Sequence, residues 1–543
     1  MTETAPAQLL QQAHSLLRNG RDADAEAMYT QLVQMGYADA NVLCNLAVIC
    51  WRRDAYGVME GWLRQALQLE PEHSDAHYNL ALALSQRGAS REAIHHYRQA
   101  LDRAQGQRVG SIHWNLSKLL LRTGDYTQGW EHYEWRRFKA QPLPPICPPG
   151  MPAWPGRERV PGELVLVGEQ GLGDMIQFLR YAPAMQRWAD RVALCLPEKL
   201  HALVAGSDLP VRLLSPAQAM AQRHGQWWPL LSAPRLLGVS PERVQVTAPY
   251  LKVPAERIAH WRQQLRRDLA AGEQLVGLHW QGNPATETNE LRGRSLPLDA
   301  FAPLAKLTRM RFVSLQKGPG SEQLSSCSFR RRFVSGQADV DASWSFVDTA
   351  AIALACDLVI SSDSALAHLA GAVGAPTWLL LHQHSDWRWG ETGARSGWYR
   401  SMRLFRQQQV GDWAAVIAAV GHALVARDQS QRALQLVRTG QLAEAEQLYR
   451  QQLNAGNSDA TTLANLGAVC ASSGRLAEAI ALFRQALEVD PNEPSALRNL
   501  AEALWQQPTQ RCKPELETVL HQLVQRNPQD TQSQQRLRLL NQR

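Results

Sequence analysis

The stretch DLVISSDSALAHLAGAVGAPTWLLL, residues 357–381, decides the fold of the middle of this chain. An apolar strand, DLVI, runs into the polar turn Ser361-Ser362-Asp363-Ser364 and then into a helical stretch, after which Pro376 leads into a second apolar strand. Short apolar strands separated by a helix are typical of a parallel sheet, because a parallel connection needs a crossover. The stretch therefore predicts a parallel α/β unit with its polar turn at the carboxyl end of a strand.

The same alternation extends outward in both directions along the chain. Other short apolar runs, separated by helical stretches, are ELVLV, RVALCL, QLVGLHW and RFVSLQ. A region of this length suits two Rossmann-like lobes, and we predict them over residues 163–273 and 274–427. The predicted class of this region is α/β.

The polar turn and the helix after it form a candidate anion site. The first amides of a helix have no partner within the helix and lie at the positive end of its dipole, which suits a diphosphate. His368 lies one turn after Ser364, so its imidazole is expected to share a helix face with the Ser364 hydroxyl. Asp363 is either the N-cap or a ligand contact. Taken alone, the residues favour a structural role for His368.

Two further loops leave the carboxyl ends of predicted strands in the second lobe. One runs from Asn283 to Arg294 and Ser295, and the other contains Gln316 and Lys317. Both loops are expected to reach a nucleotide that lies across the strand ends. Lys317 carries more weight than Arg294, because the chain has 7 lysines and 50 arginines.

In the first lobe, the strand ELVLV is followed by the glycine-rich turn GEQGLGD, residues 168–174. Such a turn lets a ligand approach the backbone at the start of a helix, so Gly171 and Gly173 are expected to lie at the cleft. It is not a dinucleotide fingerprint, since the third glycine position is Ile176, and the sequence has no Gly-Lys-Ser/Thr phosphate loop. Asp174 is either a general base for an acceptor hydroxyl or a helix cap.

Both ends of the chain carry a repeat of 34 residues. The recurring positions are Gly20, Ala25 and Tyr29 with Gly88, Ala93 and Tyr97, and then Gly440, Ala445 and Tyr449 with Gly474, Ala479 and Phe483. These residues resemble the tetratricopeptide consensus, in which small residues recur where paired helices touch and aromatic residues fill the gaps. We predict all-α repeats over residues 1–140 and 428–543, with a proline-rich linker or wrapping segment over residues 141–162.

The composition excludes several classes of protein. Hydrophobic residues make up 45% of the chain, which excludes wholesale disorder, and the net charge of +7 arises without a Lys/Arg block, so nucleic acid is not expected as a partner. The 8 cysteines form no Cys-x-x-Cys pair and are expected to be reduced core residues in a cytoplasmic protein. The amino terminus lacks the pattern of a secretion signal, and the apolar runs are too short for a membrane span.

Seven motifs occur in a characteristic order: GEQGLGDMIQFLRYAP, HWQGNP, RSLPL, FVSLQKG, FVDTAAIALACDLVISSDSALAHLAGAVGAPTWLLL, DWRWG and SGWYRSMRLFRQ. This run, over about residues 164–413, resembles bacterial tetratricopeptide-linked glycosyltransferases of the heptosyltransferase-like GT-B type. The resemblance implies an amino lobe that binds the acceptor and a carboxyl lobe that binds a nucleotide-sugar donor. It also implies that Asp174 is the general base and that Asp363, Ser364 and His368 contact the donor diphosphate.

Two segments depart from the resembled pattern, and two motifs lie outside it. Residues 285–291 leave the identity of the donor open, and residues 226–234 leave the acceptor geometry open. Asp339 and Asp341 have the Asp-x-Asp spacing of metal-dependent sugar transferases, but they are expected in a polar loop, and no metal or cofactor is expected. The segment DWRW, residues 386–389, either stacks on a sugar or packs at the cleft edge, and packing is favoured.

The sequence thus predicts a metal-independent enzyme that moves a hexosyl or heptosyl group from a nucleotide diphosphate to a hydroxyl. Asp174 would deprotonate the acceptor, while the helix start at Ser364, with Lys317 or Arg294, would stabilise the leaving diphosphate. Repeat arrays form concave grooves, so a protein acceptor is expected, for example a surface-appendage subunit modified before export. A fragment without residues 1–140 is expected to keep nucleotide binding. A lipid-linked glycan acceptor, or a scaffold with an inactive transferase domain, stays open as an alternative.

Overall fold

The computed structural model describes residues 4–139, 147–243, 249–287, 293–456, 458–506 and 512–541. The chain divides into two compact units, Met1–Val416 and Ile417–Arg543. Helix Trp413–Arg438 is continuous across the boundary that the sequence suggests between residues 427 and 428.

The first unit begins with eight helices that pack in consecutive pairs. They are α1 Thr4–Arg18, α2 Asp22–Gln34, α3 Ala40–Arg52, α4 Tyr56–Leu69, α5 Ser74–Gln86, α6 Ser90–Leu101, α7 Gln107–Thr123 and α8 Tyr126–Tyr133. Short turns join the two helices of a pair. Gly88 and Gly124 occupy two of these turns with φ of 77° and 96°, a conformation that favours glycine. Asp39 stabilises the start of α3, because its carboxylate accepts a hydrogen bond from the Val42 amide at 2.7 Å.

The recurring small and aromatic residues lie in the core of these helices. Ala25 and Ala93 have no exposed surface, and Tyr29 and Tyr97 are at most 1% exposed. An alanine methyl lets two helices approach closely, and a tyrosine ring fills the space between neighbouring pairs. The 34-residue period therefore reports the packing of one helix pair on the next.

A parallel sheet of four strands follows, in the order β3-β2-β1-β4. Its strands are β1 Val160–Val167, β2 Ala189–Cys195, β3 Arg212–Leu214 and β4 Gln226–Pro229, and the helices around it are α9 Leu172–Phe178, α10 His201–Ala205, α11 Pro216–Met220 and α12 Ala233–Leu237. Leu166 of β1 lies opposite Leu194 of β2 and Trp228 of β4. The turn after β1 is thus at the carboxyl edge of a central strand.

A second parallel sheet has five strands in the order β6-β5-β7-β8-β9. They are β5 Gln274–His279, β6 Met310–Ser314, β7 Leu358–Ser362, β8 Thr377–Leu381 and β9 Met402–Arg406, accompanied by α13 Ala255–Arg266, α14 Gln323–Ser326, α15 Gln337–Ala342, α16 Phe346–Ala355 and α17 Ala365–Ala372. Every residue of β5, β7 and β8 is buried. Helices on both faces account for the continuous apolar runs of these strands.

Helix α13 packs on the second sheet's layer, although it precedes residue 274. The Trp261 indole donates to the Asp348 carboxylate of α16 at 3.0 Å, and Arg257 forms an ion pair with the same carboxylate. Tyr250 and Leu251, just before α13, donate backbone hydrogen bonds to Ala372. The chain therefore crosses from the first lobe to the second before α13.

The amino-terminal helices share one core with both sheets. Trp130 of α8 is 3% exposed, and its indole donates to the Val239 carbonyl at 2.7 Å. The Trp130 ring also packs edge-on against Phe178 of α9 and Trp387 of the second lobe, with centroids 6.1 and 5.3 Å away. The repeats and the two lobes therefore form one packed body within the first unit.

Residues 147–159 wrap along the first sheet. The Trp154 amide donates to the Trp227 carbonyl at 2.9 Å, and the Trp227 amide donates to the Pro152 carbonyl at 3.1 Å. Trp154 itself is 2% exposed, so this part of the proline-rich segment is anchored rather than free. Residues 140–146 of the same segment lie outside the described residues.

The second unit is helical. Its helices are the continuation of α18 Trp413–Arg438, then α19 Leu442–Asn454, α20 Ala460–Ser472, α21 Leu476–Val489, α22 Pro494–Gln506, α23 Lys513–Arg526 and α24 Thr531–Asn541. The recurring residues Ala445, Tyr449, Ala479 and Phe483 have no exposed surface.

Six of the 8 cysteines are buried, but Cys147 is exposed and Cys512 is half-buried, which corrects the expectation that all are core residues.

Candidate functional site

A cavity of about 1120 Å³ lies at the carboxyl ends of β1, β5, β6 and β7. Nine of the eleven predicted site residues line it: Gly171, Gly173, Asp174, Asn283, Arg294, Lys317, Asp363, Ser364 and His368. The carboxyl edge collects them because parallel strands all end on the same side of a sheet. Both lobes therefore contribute to one cleft.

Asp174 has the geometry of a cap and also lies at the cleft. Its Oδ2 accepts a hydrogen bond from the Gly171 amide at 2.9 Å, so the capping interpretation describes a real contact. Its side chain keeps 22% exposure. Burial raises the pKa of Asp174 above its ordinary value, and the neighbouring Arg388 guanidinium opposes that rise. A carboxylate with a raised pKa is better matched to proton acceptance near neutral pH.

Arg388 of the second lobe is the main residue that the sequence did not single out. Its Nη2 donates to Asp174 Oδ1 at 2.5 Å, its Nη1 donates to Asp386 at 2.8 Å, and its Nε donates to Gln177. The guanidinium is buried and stacks on the Trp387 ring, 4.3 Å from the centroid. The segment predicted to pack at the cleft edge thus also supplies the cation that holds Asp174.

Gly173 lets the two lobes meet closely. A Cβ added at Gly173 would lie 2.8 Å from His368 Cδ2 and 3.3 Å from Ala365 Cα. Real Cβ contacts are not this short, so a larger residue would push α9 away from α17. The glycine therefore keeps the Asp174 turn next to the start of α17.

His368 is buried against aromatic rings of its own lobe. Its Nδ1 lies 2.9 Å from the Tyr399 hydroxyl, and its ring stacks on Trp389 at a centroid distance of 5.4 Å. Burial lowers its pKa well below the ordinary value, with Arg388 acting in the same direction, so the imidazole is neutral. The sequence predicted that His368 would share a helix face with the Ser364 hydroxyl, but the hydrogen-bond partner of the imidazole is the Tyr399 hydroxyl.

The Ser364 hydroxyl lies instead next to His279, a residue that sequence reasoning missed. The Ser364 Oγ is 3.4 Å from His279 Nδ1, at the carboxyl end of β5. Burial lowers the pKa of His279 to about 3. The position of His279 in the motif HWQGNP, at the end of a predicted strand, is the signal that could have found it.

Asp363 is neither the N-cap nor an exposed side chain. Ser364 occupies the N-cap position of α17, without a side-chain cap. The Asp363 carboxylate accepts a hydrogen bond from the Trp389 indole at 2.9 Å. Burial, reinforced by Asp386, raises the pKa of Asp363 to about 6.

Three predicted donor contacts line the second-lobe side of the cleft. Lys317 donates to the Val340 carbonyl, and burial lowers its pKa below the ordinary value. Arg294 lies 3.3 Å from the Glu287 carboxylate. Asn283 Oδ1 accepts a hydrogen bond from the Ala285 amide at 3.1 Å and so shapes the turn after β5.

Ser295 and Gln316, by contrast, do not line the cavity. The Gln316 amide bonds four backbone groups, namely the Trp280 and Gln281 amides and the Gln281 and Pro319 carbonyls. Ser295 accepts a hydrogen bond from the Gly282 amide at 3.0 Å and donates to Glu287. These side chains hold the loops in place, which corrects their expected direct role at the donor.

The amino-terminal repeats form a third wall of the cavity. Arg136, just after α8, is 3% exposed and forms an ion pair with Glu169, which lies in the turn 168–174 that leads to Asp174. The repeats also contact Glu391 of the second lobe. Arg122 of α7 lies 3.5 Å from its carboxylate, and the Ser90 hydroxyl of α6 donates to the same carboxylate. The repeats therefore contact the loops of both lobes.

Some expectations concern groups other than the cleft residues. Asp339 and Asp341 lie on helix α15 rather than in a loop. Within the described residues, no group of three or more His, Cys, Asp or Glu side chains has an arrangement for a metal ion. No helix in the described parts of the chain combines the length and apolar character of a membrane span. Residues 288–292 of the loop after Asn283 lie outside the described residues.

Family models identify the repeats. The model described as "Tetratricopeptide repeat" matches residues 10–58, 62–107 and 83–134, and the model described as "TPR repeat" matches residues 467–507. The protein therefore carries tetratricopeptide repeats before and after its α/β region.

Among curated proteins, Protein FlbA of Caulobacter vibrioides is 28% identical over 417 residues, covering 70% of this chain. The alignment spans 65% of FlbA, which is slightly less than two thirds of that protein.

Three solved structures are similar to this chain. Glycosyl transferase family 9 of Veillonella parvula is 12% identical, covers 46% of this chain and 86% of its own, and has a TM-score of 0.34. Heptosyltransferase II of E. coli is 14% identical, the match covers 49% of this chain and 99% of that protein, and the TM-score is 0.33. An O-GlcNAc transferase of Thermobaculum terrenum is 17% identical, the match covers 90% of this chain and 99% of that protein, and the TM-score is 0.29.

The predicted fold class is confirmed in its α/β and all-α parts: two parallel sheets, each accompanied by helices, with tetratricopeptide repeats before and after them in the sequence.

Proposed function

We propose that this protein is a glycosyltransferase that moves a sugar from a nucleotide diphosphate to a hydroxyl on a protein acceptor. One observation carries the proposal: a carboxylate of the first lobe, Asp174, and the start of α17 in the second lobe line the same cavity. The close approach of Gly173 to His368 brings these two groups together. Such a pairing suits a base and a diphosphate site on opposite sides of one transferred sugar.

On the donor side, the first amides of α17 and two cations would stabilise the diphosphate. Ser364 does not cap these amides with its side chain, and they lie at the positive end of the helix dipole. Arg294 and Lys317 line the cavity on the same lobe. Positive groups held in place before the reaction stabilise the charge that develops on the leaving diphosphate.

On the acceptor side, Asp174 would take the hydroxyl proton. The acceptor oxygen then bonds to the anomeric carbon while the bond from that carbon to the diphosphate oxygen breaks, and the electron pair leaves with the diphosphate. The Asp174 carboxylate accepts hydrogen bonds from the Gly171 amide at Oδ2 and from Arg388 at Oδ1. A carboxylate has about four lone-pair sites, so a site remains for the proton. The proposed reaction needs no metal ion, and retained activity in a chelator would support that part.

A protein acceptor is supported by the third wall of the cleft. Helices α3, α5 and α7 contribute Trp51, Tyr78 and Trp114 to the lining, next to the lobes that would carry the chemistry. An acceptor held by the repeats gains effective concentration at Asp174.

The first experiment is thermal unfolding of the full chain with a panel of nucleoside diphosphates and the matching nucleosides. A ligand at 100 times its dissociation constant contributes about 2.7 kcal/mol to the folded state. We expect one diphosphate to stabilise the protein and its nucleoside, which lacks the phosphates, to have little effect. Stabilisation by none of the diphosphates would favour a scaffold with an inactive transferase domain.

A further inference from the structure

The lysines of this protein are concentrated in one place. The chain has 7 lysines and 50 arginines, so arginine is the ordinary cation of its surface. Yet four of the lysines, Lys118, Lys139, Lys199 and Lys317, line the cavity between the repeats and the lobes. Lys317 belongs to the donor side described above. The other three lie toward the repeats and the first lobe, where the acceptor would enter.

The repeat wall has a regular construction. Tyr78 and Leu82 are four residues apart on α5, and Trp114 and Lys118 are four residues apart on α7, so each pair shares one helix face. Arg122 continues the α7 stripe by another four residues. The Tyr78 hydroxyl accepts a hydrogen bond from the Asn115 amide at 3.1 Å, which links the two helices. The wall is therefore a surface of aromatic rings and cations rather than a purely apolar groove.

Two of the lysines flank a single indole. The Nζ atoms of Lys118 and Lys139 lie 5.1 and 4.7 Å from the centroid of the Trp114 ring. Cations over an aromatic face are held in a narrow range of positions. Their positive charge is thus placed along the groove instead of being spread over solvent.

The carboxylates at the cavity are on the lobes. The acidic residues that line it are Asp174, Asp363 and Asp386. Asp174 and Asp386 both bind Arg388, and Asp363 accepts from Trp389. Among the described residues, the repeat helices contribute cations and no carboxylate to the lining. The side chains that the repeats contribute to this groove therefore carry an excess of positive charge, which attracts anionic groups.

We infer that this groove binds an extended acidic segment of the acceptor protein, with the acceptor hydroxyl next to its acidic residues. The inference rests on the proposed function and names the chemistry of its acceptor. Lysine ammonium groups would pair with Glu or Asp side chains, and the rings of Trp51, Tyr78 and Trp114 would contact the apolar side chains between them. Concave tetratricopeptide surfaces are suited to extended chains, which favours a peptide over a glycan.

The test uses the full chain and two fluorescein-labelled peptides, one repeating Glu-Ser-Ala and the other repeating Lys-Ser-Ala. We expect the acidic peptide to bind and the basic peptide not to bind, with an affinity that falls as salt is added. The double variant Lys118→Glu, Lys139→Glu should weaken binding about ten-fold or more, because charge reversal replaces attraction by repulsion. The matched control is Lys306→Glu, an exposed lysine outside the cavity, and its binding should not change.

A second variant and a second ligand keep the test decisive. Lys199→Glu changes an exposed lysine on the first-lobe side, so its effect can be measured even if the double variant unfolds. Equal binding of both peptides, or unchanged binding by Lys199→Glu and the double variant, would overturn the inference. Tighter binding of heparin through the same lysines would overturn the protein segment in favour of an anionic glycan.

The outcomes also separate this inference from the proposed function. Nucleoside diphosphate stabilisation is measured on the same variants, and Lys118 and Lys139 are on the repeat side of the cavity. If the acidic peptide binds but no nucleoside diphosphate stabilises the protein, the inferred groove is supported and the proposed transferase function is overturned. If a nucleoside diphosphate stabilises the protein but peptide binding is not selective, the proposed function is supported and the inferred groove is overturned.

Discussion

Arg388 of the second lobe donates to Asp174 of the first lobe, with 2.5 Å between Nη2 and Oδ1. This ion pair joins the two lobes at the base of the cleft. The guanidinium favours the ionised carboxylate and so lowers the pKa of Asp174, whereas burial disfavours the ionised form and raises that pKa. The effect of burial is larger, so the pKa lies above its ordinary value. The protonation state of the proposed base therefore depends on a residue of the other lobe.

We expect Asp174→Asn to abolish transfer and to leave nucleotide binding nearly unchanged. The amide oxygen can still accept from Gly171, so the turn keeps its cap, whereas the basicity and the ion pair with Arg388 are both lost. Loss of the buried ion pair costs about 3 to 5 kcal/mol of stability. Loss of a general base costs about 100- to 10,000-fold in rate. Single-turnover transfer and nucleotide-dependent thermal shift measure the two effects separately. Transfer within a few-fold of the parent would remove Asp174 from the mechanism.

We expect Arg388→Gln to move the acid limb of the pH-rate profile to higher pH. Removing the cation removes the group that lowers the pKa of Asp174, and Asp386, which raises it, remains nearby. The base would then be protonated over a wider pH range. Breaking a buried ion pair also costs about 3 to 5 kcal/mol of stability. The control is Arg331→Gln, at an exposed arginine, which should keep the pH-rate profile of the parent. A parent-like profile in Arg388→Gln would contradict the assignment.

We expect His368→Ala to weaken donor binding before it affects folding. The neutral imidazole lines the cavity next to Gly173, and its Nδ1 is oriented by the Tyr399 hydroxyl. Tyr399→Phe removes that hydrogen bond, together with the contact of the same hydroxyl with Tyr250, and keeps the imidazole, so it should produce a smaller loss in the same direction. Isothermal titration with the nucleoside diphosphate that stabilises the parent measures both. Unchanged affinity in His368→Ala would assign the residue to packing alone.

We expect the first unit to lose stability as the pH falls from about 6.5 toward about 4, because the repeats contain two partly buried histidine pairs. His77 and His96 approach at 2.8 Å between Nδ1 atoms, and His113 and His132 approach at 2.6 Å. Burial lowers the pKa of His96 and of His113 to about 4, so the unfolded chain binds more protons in this range. Each depressed histidine would cost roughly 1 to 3 kcal/mol.

Urea unfolding of the full chain at pH 7.5 and pH 5 measures this loss. The double variant His96→Gln, His113→Gln should lose less stability between the two pH values than the parent does. The exposed His224, in the first lobe, supplies the control, since His224→Gln should leave the difference unchanged. An equal loss in the double variant would show that other groups cause the acid sensitivity.

We expect deletion of residues 1–140 to prevent folding of the α/β region. This reverses the expectation from sequence, because Trp130 and Tyr133 belong to the core that contains Phe178 and Trp387. Trp130→Ala alone should cost about 3 to 5 kcal/mol. The exposed Trp344, 71% accessible, gives a control variant that should cost little. A soluble deletion fragment that binds nucleotide would show that the lobes fold independently.

Much of the fold could be predicted because it depends on local periodicity. The alternation of apolar runs and helices predicted parallel sheets, and β5, β7 and β8 are buried along their whole length. The glycine-rich turn before Asp174 and the polar turn before Ser364 both follow predicted strands. Parallel strands end at a common edge, so these turns could be assigned to one cleft from sequence.

Contacts between distant segments could not be predicted, because nothing in their spacing reports them. Arg388 lies 214 residues from Asp174, and a single arginine among 50 carries little information until the chain is folded. The same is true of Arg136 and Glu169, whose ion pair attaches the repeats to the turn before Asp174.

By itself, the amino-acid sequence determined the helices and strands, the repeat period and the side of the sheets where polar turns gather, since each follows from hydrophobic periodicity and turn chemistry. Only the tertiary structure decided that the repeats form a wall of the cleft and that Arg388 holds Asp174. It also decided that Gln316 supports a loop instead of facing the cavity. These outcomes depend on the direction of a side chain after packing, which is set by contacts among segments far apart in the chain.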